Sequence, residues 1–263
     1  MKYTYREINE TEKWKDLSPF LYIYRKISVI FVWIICKTPI TSNQTTNLST
    51  LFGIFAAIGF ASGDKEYIFL GGILAQLYII LDCADGLLSR VKNNSSKFGA
   101  VFDVVSDVFV NNVVLLGIGV GLYIQTQRLE ILLIPFMALF GVNMTVVTHN
   151  TQMMVFRDAP LRNSRVIQEL GKKGNILNAI IKRIQLSGSF QYFIIGIGAF
   201  VDRLFWSMII IAVLQNIYWI GLVILMYLNY RKEVYSIKHA DRLNESHKKK
   251  RTYRNDSYQK FIV

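Results

Sequence analysis

At 263 residues the chain has the length of one or two soluble domains, but 52% of its residues are hydrophobic and its mean hydropathy is +0.31, more apolar surface than one core of this size takes in. Charged residues make up 18% and fall in short blocks between long uncharged runs, the distribution imposed when hydrocarbon excludes ions. The net charge of +12 therefore belongs to loops and ends as a positive-inside bias, which speaks against nucleic acid as a partner, and the two cysteines, Cys36 and Cys83, have neither disulfide nor metal spacing.

Residues 1 to about 20 are polar, and Glu7, Glu10 and Glu12 among the basic residues leave no room for the apolar core of a cleavable signal peptide. Tyr22 to Lys37 is aromatic-rich and apolar, flanked by Arg25, Lys26 and Lys37, and too short to cross; it reads as an interfacial helix. A first span is predicted around Thr46 to Ser62, ended by the Gly63-Asp64-Lys65-Glu66 turn, and a second begins at Tyr67 to Leu81. A third runs from about Phe98 to Ile124 and a fourth from about Ile131 to Phe156. Residues 157 to 183 form a basic connector. Ile184 to Tyr230 is long enough for two passes, joined at Asp202-Arg203 or near Gln215-Asn216.

The fold class is thus an all-α integral membrane protein with six transmembrane helices and an N-terminal interfacial helix. It divides into a polar segment with that helix over 1–40, the six-span domain over 41–230 and a basic tail over 231–263. Lys and Arg concentrate in the N-terminus, the connectors after spans two and four, and the tail, which places both termini on the cytoplasmic side. The run Lys248-Lys249-Lys250-Arg251 reads as a solvated or headgroup-attracted segment.

The chemistry concentrates in Asp82-Cys83-Ala84-Asp85-Gly86-Leu87-Leu88-Ser89-Arg90 and the following Gly99, Asp103 and Asp107. One aspartate near a helix end is commonly a cap. Four at the junctions of apolar helices point to function, because hydrocarbon makes a carboxylate expensive. Asp82 and Asp85 are three apart, Asp103 and Asp107 four apart, so each pair projects from one helix face. Packed antiparallel, the pairs converge, and the charge calls for a divalent cation; all-oxygen ligation selects Mg²⁺ or Mn²⁺ over zinc. Gly86 and Gly99 leave backbone open to a bulky ligand, and Arg90 suits a diphosphate beside the metal.

These residues resemble the CDP-alcohol phosphotransferases, whose signature is D-x2-D-G-x2-A-R-x8-G-x3-D-x3-D; only its alanine differs, being Ser89. Thr41-Ser42-Asn43-Gln44-Thr45-Thr46 is similar to the family's T-P-N-x-x-T, with Ser42 in place of proline. The resemblance implies that Asp82, Asp85 and Asp103 bind metal and that Asp107 completes a two-metal site and serves as general base. It also implies that Asn43, Gln44, Thr45, Thr46, Gly86, Arg90, Ser96 and Gly99 surround the CDP portion. A phosphatidyl group would pass from CDP-diacylglycerol to an alcohol with release of CMP, the active site would face the cytoplasm, and the protein would pair as a homodimer. Arg157, Lys172, Lys173 and Arg203 are the candidate grips on an acceptor phosphate, alongside Arg162 and Arg165. A soluble donor such as CDP-choline or CDP-ethanolamine is the nearest variant. From a different class, a cation transporter also keeps carboxylates in membrane helices, with Asn111, Asn112, His149 and Asn150 lining its path, but it has no use for Asp-Gly, Arg90 and Gly99 at these offsets.

Overall fold

The computed structural model describes residues 3–12, 14, 17–155, 188–224, 226–227 and 230–231, and among them there is no strand. The helices are α1 (Tyr5–Thr11), α2 (Pro19–Ile35), α3 (Ser42–Ala61), α4 (Lys65–Lys92), α5 (Lys97–Thr126), α6 (Leu133–Val155), α7 (Gly188–Phe200) and α8 (Leu204–Ile224). A 3-10 turn, Leu129–Leu132, leads into α6. Among the described residues four segments are long and apolar enough to cross a membrane: α4, α5, the 3-10 turn with α6, and α8. α3, which covers the expected first span, begins Ser-Asn-Gln-Thr-Thr-Asn and is too polar there to count with them, and α7 has only 13 residues.

Local chemistry sets the starts. Thr4 and Glu7 form a capping box on α1, the Glu7 backbone N–H donating to Thr4 Oγ1 at 3.3 Å and the Thr4 N–H to Glu7 Oε2 at 2.7 Å. Those bonds from Thr4 hold the Glu7 carboxyl below its ordinary pKa. Ser18 caps α2 with Pro19 at its first position, and Ser96 Oγ caps α5 by accepting from Gly99 N–H at 2.9 Å. Asn93 closes α4 in the left-handed region at φ 51°.

Short links make consecutive helices antiparallel, so the start of α3, the end of α4 and the start of α5 meet at one end of the bundle. The remaining join in the sequence falls at the first of its two expected places: Val201 and Asp202 form the turn between α7 and α8, with Asp202 at φ 56°. Residues 157–183, carrying Arg157, Lys172 and Lys173, and the tail beyond residue 231 lie outside the described residues.

α3 lies between α4 and α5 and packs most extensively on both. Its contact with α5 is backbone-close: a Cβ at Gly117 would sit 2.4 Å from the Ala57 carbonyl oxygen, and one at Gly121 would overlap the Phe60 carbonyl. In lipid, where apolar side chains gain nothing by leaving apolar surroundings, such small-residue contacts hold helices together by dispersion.

The N-terminal residues, expected only as a polar segment, form α1 and dock. Ile8, fully buried, enters a cluster with Val29 and Val32 of α2 and Ala84, Leu87 and Leu88 of α4. Ile8→Ala is expected to weaken that docking by about 2–5 kcal/mol, the usual cost of truncating a buried aliphatic side chain. Hydrogen exchange would show it as faster exchange in residues 5–11 with α4 and α5 unchanged. On its other side α2 presents Tyr22, Ile23, Ile30 and Ile34 outward.

Candidate active site

α4 has 28 residues and so runs about 42 Å, longer than a hydrocarbon layer of about 30 Å. With Lys65 at one boundary, the other falls about 20 residues on, beside Asp82 and Asp85. Counting back from Thr126 along α5 reaches its own pair, Asp103 and Asp107, in the same way. Each pair stands where a helix leaves the apolar layer, and the link 93–96 turns the two faces toward each other.

One carboxylate oxygen from each of Asp82, Asp85 and Asp103 lies within 4.8 Å of the others. Asp85 is buried, 4% exposed, and Asp82 and Asp103 are half-buried. Thr46 Oγ1 of α3 donates to Asp85 Oδ2 at 2.5 Å, fixing one oxygen of that carboxylate. Tyr78, one turn before Asp82 on the same face of α4, donates its hydroxyl to Asp107 Oδ1 at 2.9 Å. Three carboxylates at such spacing repel unless a cation sits among them, and an all-oxygen donor set fits a hard divalent ion. Asp82, Asp85 and Asp103 are therefore the residues that can hold one, with Asp107 beside Asp82.

Around the carboxylates the expected ligand contacts divide. A Cβ at Gly99 would lie 3.0 Å from both Asn43 Oδ1 and Ser96 Oγ, so these three gather where α3 and α5 begin. Gly86 has open space on its side, the Arg90 Nη1 atom 3.6 Å away being all that a Cβ would meet. Thr46 faces Asp85. Gln44 instead closes the capping box of α3, its Oε1 accepting from Thr41 N–H at 2.9 Å. Thr45 is 1% exposed and its hydroxyl donates to the Thr41 carbonyl at 3.1 Å.

Arg203 requires a correction. It sits in the turn before α8, whose neighbour Asp202 pairs with Lys65 at 2.6 Å at the start of α4. Lys65 precedes Asp82 by 17 residues, about 26 Å of helix, so Arg203 belongs to the opposite end of the bundle and cannot join an acceptor site at the carboxylates.

Two site residues escaped the sequence reading. Tyr78 carried a usable signal, its i, i+4 relation to Asp82. Glu12 carried none: it accepts from Arg90 Nη2 at 2.8 Å across 78 residues of sequence. Of the residues considered for a cation path, Asn111 and Asn112 are engaged between helices. Asn111 accepts from Gln191 Nε2 at 3.1 Å, and Asn112 accepts from Asn143 Nδ2 at 2.8 Å. They act as polar links joining α5 to α7 and α6.

The sequence model described as CDP-alcohol phosphatidyltransferase matches residues 40–224. Two curated relatives are bifunctional IPC transferase and DIPP synthases. That of Rubrobacter xylanophilus is 36% identical over 84 residues, 32% of this chain and 19% of that protein. That of Aquifex aeolicus is 39% identical over 71 residues, 27% of this chain and 16% of that protein. The chain thus spans less than a fifth of the length of these relatives. Among solved structures, phosphatidylinositol phosphate synthase of Mycobacterium tuberculosis with CDP-DAG bound superposes with a TM-score of 0.56 at 16% identity, covering 77% of this chain and 94% of that one. The same enzyme in complex with manganese and citrate gives 0.55 at 16% identity, over 76% and 88%. That likeness shows a shared fold.

Proposed function

The chain belongs to the CDP-alcohol phosphatidyltransferase family, and from that premise we propose that it moves a phosphatidyl group from CDP-diacylglycerol to an alcohol, releasing CMP, in phospholipid synthesis. The observation that carries this reading is the convergence of the carboxylate pairs of α4 and α5, at the family's spacing, where both helices leave the apolar layer.

Asp82, Asp85 and Asp103 hold a divalent cation, Mg²⁺ or Mn²⁺, and Asp107 completes a second position. The bound metal supplies charge neutralisation on the diphosphate and on the departing CMP. Arg90 lies beside the open face of Gly86 and meets the diphosphate oxygens there. Asn43, Ser96 and Gly99 border the nucleotide. Tyr78 holds Asp107 Oδ1, which leaves Oδ2 to take the proton of the acceptor hydroxyl. The acceptor oxygen then bonds to the phosphorus that carries diacylglycerol, the bond from that phosphorus to the bridging oxygen breaks, and CMP departs with the electron pair.

In this reading α3 to α8 are six alternating passes, α2 lies in the interface, both termini are cytoplasmic and the protein pairs as a homodimer. In that topology α6 ends and α7 begins at the carboxylate end, and Arg157, Lys172 and Lys173, between them in the sequence, are the proposed grips on an acceptor phosphate. A phosphorylated polyol, glycerol phosphate or inositol phosphate, is the proposed acceptor, supported by the naming of the neighbouring synthase. The test is CMP release by purified protein in nanodiscs with Mg²⁺ or Mn²⁺. CDP-diacylglycerol, CDP-choline and CDP-ethanolamine are crossed with both polyol phosphates. CMP is expected from CDP-diacylglycerol with a polyol phosphate. Release only from a soluble donor moves the assignment to that donor, and no release from any donor overturns it.

A further inference from the structure

A buried acid outside the matched domain reaches the donor side of the site. Glu12 follows α1, 28 residues before the family match begins, and its side chain is 1% exposed. Oε2 accepts from Arg90 Nη2 at 2.8 Å and Oε1 from Arg25 Nη1 of α2 at 2.7 Å. Each carboxylate oxygen thus takes a different guanidinium. The segment is held from both sides: Ile8 is buried against α2 and α4, and Trp14 donates from Nε1 to the Asn9 carbonyl at 2.8 Å. A buried ion pair is a poor way to fasten a segment, because removing two charges from water offsets much of their attraction, and apolar residues of the same size serve as well. What the pair does supply is a fixed orientation. Arg90 Nη2 is engaged by Glu12, its Nε is buried without a hydrogen-bond partner, and its Nη1 faces the open side of Gly86. Sharing the carboxylate with Arg25 also keeps Glu12 from being matched to Arg90 alone.

We propose that Glu12 is a positioning residue for the donor: it holds the Arg90 guanidinium by one edge so that the other points over Gly86 to the diphosphate. The N-terminal segment is then part of the donor site and not only a membrane-surface appendage. This rests on the reading of Arg90 as a diphosphate contact.

The test is CDP binding to the full chain in nanodiscs at saturating Mn²⁺, for wild type, Glu12→Gln, Arg90→Ala and the double variant. Mn²⁺ affinity and thermal unfolding of each variant report an intact bundle. Arg90→Ala is expected to weaken CDP about 10-fold or more, the scale of a lost charge-assisted hydrogen bond, and Glu12→Gln by about 5-fold or more. The double variant should bind no more weakly than Arg90→Ala alone, because Glu12 acts only through Arg90. Glu10→Gln, an exposed acid of the same segment, should change nothing. An undiminished further loss in the double variant overturns the proposal. So does unchanged CDP binding in Glu12→Gln while Arg90→Ala weakens it; both results leave the reading of Arg90 standing. Tighter CDP binding in Glu12→Gln would mark the carboxylate as a competitor of the diphosphate and also overturns positioning. Unchanged binding in Arg90→Ala removes that reading and the proposal with it. Should Glu12→Gln unfold at lower temperature, Glu12→Asp decides, keeping the charge but shortening the reach: loss of CDP affinity only where Arg90 is present supports the proposal, and equal loss in both backgrounds sinks it.

Discussion

Asp107→Asn is expected to lose turnover by about 100-fold or more, the usual scale for removing a general base, while keeping most of its affinity for donor and metal. Asparagine has nearly the shape of aspartate and still offers one oxygen, so the Tyr78 hydroxyl keeps an acceptor and the link it makes from α4 to α5 is preserved. What it lacks is a place for the acceptor's proton. Asp82→Asn serves as the contrast, because Asp82 sits within the triad whose oxygens lie within 4.8 Å of one another. Its amide variant should raise the metal concentration needed for half-maximal rate and recover at high Mg²⁺. Metal titration of each variant in the same nanodisc preparation separates the two roles. Recovery of Asp107→Asn at high Mg²⁺, with the same profile as Asp82→Asn, would make Asp107 a ligand and leave the base unassigned.

Removing the metal is expected to abolish turnover altogether, and restoring Mg²⁺ or Mn²⁺ to bring it back. Like charges 4.8 Å apart repel by about 3–4 kcal/mol per pair at an effective dielectric constant near 20, and the donor's diphosphate adds negative charge to the same place. Arg90 alone cannot offset that sum. The check is CMP release in excess EDTA before and after metal is returned, with Mn²⁺ binding followed by its magnetic resonance signal as an independent measure of the site. Full turnover in excess EDTA, or an unchanged Mn²⁺ signal in the presence of protein, would sink the metal reading.

How much of this could be read from the sequence depended on whether a residue's meaning was local. Asp82, Asp85, Asp103 and Asp107 were legible because a carboxylate stands out in apolar sequence and helical periodicity fixes which pairs share a face. The bounds of α5 were legible within about two residues, since a polar link flanks an uncharged run. α3 shows how the site works against that signal: Ser42 to Thr46 must be polar to cap the helix and to meet Asp85, so its start loses the apolarity that marks a span. α1 was present in the sequence as the Thr4-x-x-Glu7 capping box, which a reading tuned to membrane spans passed over. Arg203 was drawn toward the site by its charge alone, although the six-span expectation puts five passes, an odd number, between the start of the first span and this turn and so already places it at the opposite end. Glu12 could not be read at all, because its partners Arg25 and Arg90 are brought to it only by the tertiary fold.

The close approach of α3 and α5 at Gly117 and Gly121 reaches further than its own neighbourhood. From Gly121 to Asp103 is 18 residues of α5, about 27 Å of nearly rigid rod. A rod pivoting near one end magnifies at its tip any angular error made at the pivot. A methyl group that pushed the helices apart at Gly121 would therefore be felt as a displaced carboxylate at the far end of the lever, where ligand distances tolerate only a few tenths of an ångström. Cation affinity at the carboxylates would in that sense gauge how two glycines fit 10 to 18 residues further along the same helix.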